Sequence, residues 1–74
     1  MRLGIELPTE SVVSVSVFDL SGREVARPIA AEKFAAGFVA REWRPAGLAP
    51  GVYTVRAAVG EVKLTRRLVW LGGR

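Results

Sequence analysis

Apolar and polar residues alternate with a period of two along most of the chain, which is the pattern of strands buried on one face. The clearest run has Val13, Val15 and Val17 alternating with Ser14 and Ser16. Because β-branched side chains pack well on a pleated surface, we expect these valines to face a core and the hydroxyls to face out.

Similar patterns predict further strands on both sides of this run. They cover residues 3–7, 23 to about 29, 39–43, 52–59 and 62 to about 71. Residues 30–37 have no clear alternation, and we interpret them as a connection with Phe34 tucked under the core, with a short strand inside it as an alternative. Pro28 indicates an edge position or an irregular end for its strand, because proline has no N–H to give to a ladder. Six or seven short strands separated by glycine and proline predict an all-β fold, a small Ig-like antiparallel β-sandwich that forms a single domain over residues 1–74.

Two predicted turns contain residues suited to holding the backbone. Asp19 can accept hydrogen bonds from amides two or three residues on, and Gly22 can adopt a positive φ. Pro50 and Gly51 suit the two central positions of a type II turn. Tyr53 follows, and we expect its hydroxyl to bind backbone upstream, as in the tyrosine corner of Ig-like sandwiches. We interpret all five residues as structural.

Composition removes most catalytic chemistry. The chain has no cysteine and no histidine, so it offers no disulfide, no thiolate and no imidazole base or ligand. Its single aspartate and its scattered glutamates predict no calcium-type cluster. Ser14 and Ser16 lack a base with which to form a nucleophile. We therefore expect a protein that is not an enzyme and that needs no cofactor or metal.

Charge bears on the choice of partner. The net charge of +4 favours acidic partners, but the basic residues are spread along the chain. No nucleic-acid-binding motif is present, so nucleic acid is not an expected partner. No apolar stretch approaches the ~18 residues of a membrane span, so membrane insertion is not expected either.

Aromatic side chains leave one alternative open. Phe38, Trp43, Tyr53 and Trp70 could form a flat platform for sugar rings. Trp43 and Tyr53, however, lie at the positions of their strands that face the core. Binding of a carbohydrate therefore remains an alternative.

The C-terminal segment is the candidate site for partner recognition. Its residues are Arg66, Arg67, Leu68, Val69, Trp70 and Leu71. After the arginine pair the sequence is apolar on both faces of the predicted last strand. Either this strand lies centrally in a sheet and is covered on both sides, or one side is presented to a partner. Edge strands also offer β-augmentation, the addition of a partner's strand.

Four short stretches, taken together, resemble a known family. They are Phe18–Val25 with its Asp-Leu-Ser-Gly-Arg turn, Gly37 followed by Trp43, Pro50-Gly51-Val52-Tyr53, and Thr65-Arg66-Arg67-Leu68-Val69. In this order they are similar to the C-terminal sorting domain of proteins exported by the type IX secretion system, also called Por secretion type A. The Ig-like module of the flagellar hook-capping protein is similar in the same places.

This resemblance implies a function as well as a fold. Members of the family form seven-stranded Ig-like sandwiches at the C-terminus of large exported proteins. An outer-membrane translocon recognises them, and removal and surface attachment often follow. The resemblance thus implies a secretion domain that is monomeric or weakly dimeric and that crosses the periplasm to the cell surface or the medium within a larger protein. An accessory module that binds carbohydrate or a structural partner, and a scaffold domain of the hook-capping type, remain alternatives.

Overall fold

The structure is a computed structural model that describes residues 2–45 and 47–72. This part of the chain forms six strands and no helix. The strands are β1 (Arg2–Leu7), β2 (Ser11–Phe18), β3 (Glu24–Phe34), β4 (Gly37–Glu42), β5 (Gly51–Val59) and β6 (Val62–Trp70). They form two antiparallel sheets, one of two strands in the order β1-β4 and one of four in the order β3-β2-β5-β6. The predicted all-β fold with six to seven strands is therefore confirmed.

The predicted valine row of β2 forms the centre of the core. Val13, Val15 and Val17 are at most 2% exposed. The other buried apolar side chains are Leu7 from β1, Ile29 from β3 and Tyr53 from β5. Partly buried side chains pack around this core, namely Leu3, Ile5, Phe34, Val39, Val55, Ala57 and Val59. Fully burying one such aliphatic side chain contributes about 1.5–3 kcal/mol, so this row accounts for much of the stability of a small domain.

The strand β3 is longer than predicted. It was expected to end near Ile29, and residues 30–37 were expected to form a connection, but pairing with β2 continues to Phe34. Eleven residues of β3 lie against eight of β2, and the register shifts at three places. Such bulges hide the period of two in the sequence. At one of them Ala31 has φ 52°, and its amide donates to Ser14 Oγ at 3.1 Å. Phe34 packs against the core as expected.

Two further predictions are corrected by the backbone. Gly51 does not have the positive φ that a type II turn requires at its third position. Instead it begins β5 and lies opposite Trp70 in the ladder, where the backbone is extended. Trp43 follows the last residue of β4 and is half-buried, so it is not the fully enclosed core residue that its alternation with Val39 suggested.

One flank of the sandwich is closed by a bridge between the sheets. Arg41 in β4 lies on the inner face, opposite Leu3, and its guanidinium donates two hydrogen bonds to Glu32 in β3, at 2.9 and 3.0 Å. The same guanidinium lies 5.7 Å from the centre of the Phe34 ring. A paired guanidinium and carboxylate have strong, directional hydrogen bonds, so this bridge fixes β4 over the β3 edge.

The core assignment predicts the result of truncating Ile29. We expect Ile29→Ala to lower the free energy of unfolding by about 2–5 kcal/mol, because it leaves a cavity where the side chain is 1% exposed. Urea unfolding followed by far-UV circular dichroism measures the change. Leu20→Ala is the control, since Leu20 is 81% exposed and surface changes stay within about 0.5 kcal/mol. Equal losses in both variants would contradict this description of the core.

Candidate functional site

The strand that contains the predicted recognition residues lies at the edge of the large sheet. β6 pairs with β5 and is the last strand in the order β3-β2-β5-β6. This excludes the first of the two explanations for its apolar pattern, a central position covered on both sides. The second explanation, a side presented outward, is the one that agrees with the observed topology.

The ladder assigns each residue of β6 to a face. Leu68 lies opposite the buried Tyr53, and Arg66 lies opposite Val55, so both belong to the inner face. Arg67 lies opposite Thr54 on the outer face. The arginine pair, predicted as one cationic group, is therefore divided between the two faces of the sheet.

Most of β6 is open to solvent. Leu68 and Trp70 on the inner face are half-buried, whereas Arg66 and Arg67 are exposed. Val69 on the outer face is 57% exposed, and Leu71, just after the strand, is 82% exposed. The predicted recognition residues other than Leu71 thus share one strand, but they present apolar and basic groups in two directions.

A groove runs between β1 and β6, and it was not predicted from the sequence. Its volume is about 600 Å³. The large sheet contributes Val15, Val55 and Ala57, and β6 contributes Leu64, Arg66, Arg67 and Leu68. Five consecutive residues of β1, Arg2 to Glu6, line the other side. The groove exists because two strands cannot cover the inner face of four, and no local pattern in the sequence indicates which strand stays uncovered.

Three arginines line this groove, namely Arg2, Arg66 and Arg67. Arg66 is the one that belongs to the inner face of its sheet. Its guanidinium donates to the carbonyl of Thr65 at 3.0 Å. Within residues 2–45 and 47–72 it forms no ion pair with a carboxylate. Arg41, which also projects from an inner face, has the carboxylate of Glu32, and its hydrogen bonds lower the pKa of that carboxyl group. The two flanks of the sandwich therefore differ in charge balance.

The turn after β2 has the predicted backbone chemistry. The Asp19 carboxylate accepts hydrogen bonds from the Ser21 hydroxyl at 2.6 Å and amide at 2.9 Å, and from the Arg23 amide at 3.0 Å. Gly22 has φ 89°, a region that favours glycine. The Ser21 hydroxyl and then the Arg23 amide are the main causes of the lowered pKa of Asp19. All the partners lie within the turn, which agrees with a structural role.

The predicted tyrosine corner is also present. The Tyr53 side chain is 7% exposed, and its hydroxyl donates to the carbonyl of Ala49, four residues upstream. Pro50 lies between them, at the entry to β5. This hydrogen bond holds the loop before β5 against the end of the sandwich.

The aromatic side chains do not form one platform. Tyr53 lies in the core, and Phe38 projects from β4 in the small sheet, 70% exposed. The Phe38 ring covers Gly4, where a Cβ atom would lie 2.8 Å from its Cζ atom. Trp70 belongs to β6 in the large sheet. The flat four-residue surface considered for sugar binding is therefore not assembled.

No group of three or more acidic side chains is placed to hold a metal ion between residues 2 and 45 or between 47 and 72. In the same residues no helix is long and apolar enough to cross a bilayer.

Comparison with protein-family models, curated proteins and solved structures finds no match to this chain.

The Asp19 turn predicts a dependence of stability on pH. A carboxyl group whose pKa is lower in the folded state stabilises the fold above its unfolded pKa, and this contribution is lost as the pH falls towards the folded value. We expect Asp19→Asn to unfold at a lower temperature than the wild type near neutral pH. The difference should shrink from about pH 5 downwards. Thermal melts across this range measure it, with Leu20→Ala in the same turn as the control. A difference independent of pH would contradict the role of the charge.

The tyrosine corner predicts a loss of stability without a loss of fold. We expect Tyr53→Phe to lower the free energy of unfolding by about 1 kcal/mol, because it removes one hydrogen bond and keeps the ring. Urea unfolding gives the value. An unchanged midpoint would mean that water replaces the hydroxyl at Ala49 without cost.

Proposed function

We propose that the chain is a non-catalytic C-terminal secretion domain, a sorting signal that an outer-membrane translocon of the type IX system recognises. The observation that supports this most is the position of β6 at a sheet edge with its basic and apolar side chains exposed. In this proposal the domain is part of a larger exported protein and accompanies it through the periplasm to the cell surface or the medium. The partner is a protein of the secretion machinery.

The chemistry of β6 suits recognition by a protein. An exposed strand and its neighbourhood can be recognised through backbone hydrogen bonds, and alternate side chains then provide specificity. Basic side chains orient an approaching acidic surface and raise the rate of association. Arg66, Arg67 and Val69 supply both kinds of group within four residues.

The same residues contribute little to folding. Arg66 and Arg67 are exposed and have no ion-pair partner among the described residues, and even a surface ion pair is worth only about 0–1 kcal/mol. Their basic character therefore has no evident structural use within the domain. This is the reason to assign them to a partner.

A second function uses the same surface. An accessory module that binds a structural partner within a larger protein would also present an edge strand and an apolar groove, and a scaffold domain of the hook-capping type is one example. Sugar binding has less support, because the aromatic side chains are divided between the core and two sheets. Only the sorting domain, however, would direct the export of an unrelated passenger.

An export assay tests the proposal. The domain is fused behind a signal peptide and a reporter in a host with a type IX system. We expect the wild-type fusion to reach the surface or the medium and the Arg66→Glu, Arg67→Glu variant to be exported poorly while folding normally. Lys63→Glu with Arg44→Glu is the matched control, since it changes two exposed basic residues by the same charge. A chain that ends at Thr65 should lose both fold and export, because it lacks half of β6.

Two results would contradict the proposal. Failure of the wild-type fusion to be exported, with the reporter held in the periplasm, would exclude a sorting function. Normal export of the folded double variant would exclude the arginines from recognition. Circular dichroism of the purified domains shows whether each variant is folded.

A further inference from the structure

We propose that the groove between β1 and β6 accepts an extended strand from a partner protein, and that this strand has apolar side chains on one face and a carboxylate that pairs with Arg66. The inference rests on the proposed function only in taking the occupant to be a segment of a recognition partner. In this complex β1 supplies the backbone ladder, and the inner face of β6 supplies the side-chain contacts.

The two layers of the sandwich are unequal in size, and this leaves the inner face of β6 uncovered. The small sheet has two strands and the large sheet four. On the inner face of β6, Leu64 is 41% exposed and Val62 is 58% exposed. Neighbouring strands in a sheet lie about 4.8 Å apart, so one more strand beside β1 would come to lie over β6.

One backbone edge of β1 faces the groove. It pairs with β4 along one side, and its other side has no strand partner among the described residues. Consecutive residues of a strand point to opposite faces, yet Arg2 to Glu6 all line the groove. Lining by both faces means that the groove lies along the backbone edge of β1 over five residues, and along the edge of β6 over the shorter run Arg66 to Leu68. The free N–H and C=O groups of β1 are therefore available to an incoming strand.

Among the other outer strands, β3 is less suitable for pairing with a partner. β3 contains Pro28 and the positive-φ Ala31, and its register with β2 shifts at three places. Bulges and proline are the features by which natural sheets prevent pairing at an edge. β1 has neither feature, and its register with β4 is continuous from Arg2 to Leu7.

The charge of the inward-facing arginine on each flank decides the chemistry of the occupant. On the closed flank Arg41 projects inwards and binds the carboxylate of Glu32. On the open flank Arg66 projects inwards and forms no ion pair with a carboxylate among the described residues, although Glu6 also lines the groove. A strand that brings one carboxylate to Arg66 and apolar side chains to Leu64 and Leu68 would give the open flank the composition of the closed one. A second copy of this chain would bring another Arg66 to the groove, and like charges disfavour that arrangement.

Synthetic peptides test the groove directly. The probe is an acetylated and amidated seven-residue peptide that alternates valine and threonine, with glutamate placed at each inward valine position in turn. Matched peptides carry lysine instead of glutamate, or N-methylated amides that cannot pair. Fluorescence anisotropy measures the binding of each peptide to the whole chain. We expect the best glutamate peptide to bind about tenfold more tightly than its lysine counterpart, as for a charge pair formed in a partly desolvated site.

Variants of the domain locate the charge. Arg66→Glu should reverse the preference, so that the lysine peptide binds more tightly than the glutamate peptide. Lys63→Glu is the control on the same strand, because Lys63 lies on the outer face opposite Ala58 and does not line the groove. It should leave the preference unchanged within about twofold. Arg66→Gln, which should abolish the preference, serves if the glutamate variant does not fold.

Amide hydrogen exchange locates the strand. With the glutamate peptide bound, amides of Arg2–Leu7 should exchange more slowly, whereas N-methylated peptide should give no protection. Protection confined to β3, equal binding of glutamate and lysine peptides, or no peptide binding would overturn the proposal. Self-association through β1 in analytical ultracentrifugation would overturn it in favour of a second copy.

The two proposals fail separately. Peptide binding without export of the reporter would refute the sorting function and leave the groove as a strand-binding site. Export that depends on Arg66 and Arg67, with no peptide binding and no protection of β1, would refute the strand-binding site and leave the sorting function.

Discussion

The structure depends on one packing constraint, which is that a sheet of two strands must cover a sheet of four. The valine row of β2 is the line along which cover is complete, and Val13, Val15 and Val17 are accordingly at most 2% exposed. Cover becomes poorer towards β6, where Leu64 is 41% exposed. A domain of this length buries only about 60% of its unfolded surface, so there is little further apolar surface with which to compensate.

The two flanks of the sandwich differ in how they are covered. On the β3 side, Arg41 and Glu32 form a two-hydrogen-bond bridge between the sheets, and Phe34 packs beneath it. The extra residues of β3 allow that strand to bend around the flank, since bulges increase local twist. On the β6 side the described residues form neither a bridge nor a bulge, and a groove remains. The asymmetry accounts for the unusual combination of a closed core and an open apolar surface in a small domain.

The sequence predicted features that depend on neighbours along the chain. Alternation identified β2, and the turn chemistry identified the hydrogen bonds of Asp19 and the hydroxyl bond of Tyr53. Prediction from the sequence failed where pairing between strands decides the backbone conformation. The bulges of β3 conceal its period, and the ladder contact with Trp70 keeps Gly51 extended.

The groove belongs to a third kind of feature, which local sequence does not encode. It depends on which strands pair and in what order, and neither the alternation of β1 nor the apolar end of β6 specifies that order. The candidate residues of β6 were predicted, but their environment was not. Gly4 and Ile5 in β1, which line the groove, carry no signal by residue type that would have marked them.

The division of the arginine pair follows from the same geometry and changes how the motif is understood. Adjacent residues of a strand point to opposite faces, so Arg66 and Arg67 reach the groove from different sides of the β6 edge. Arg67 lies opposite Thr54 on the outer face, where water screens its charge. Arg66 lies on the inner face beside apolar side chains, where a charge interacts more strongly with a partner that excludes water. Two residues that are of the same type and both exposed in the free domain therefore differ in what they can contribute to recognition, and the larger contribution belongs to Arg66.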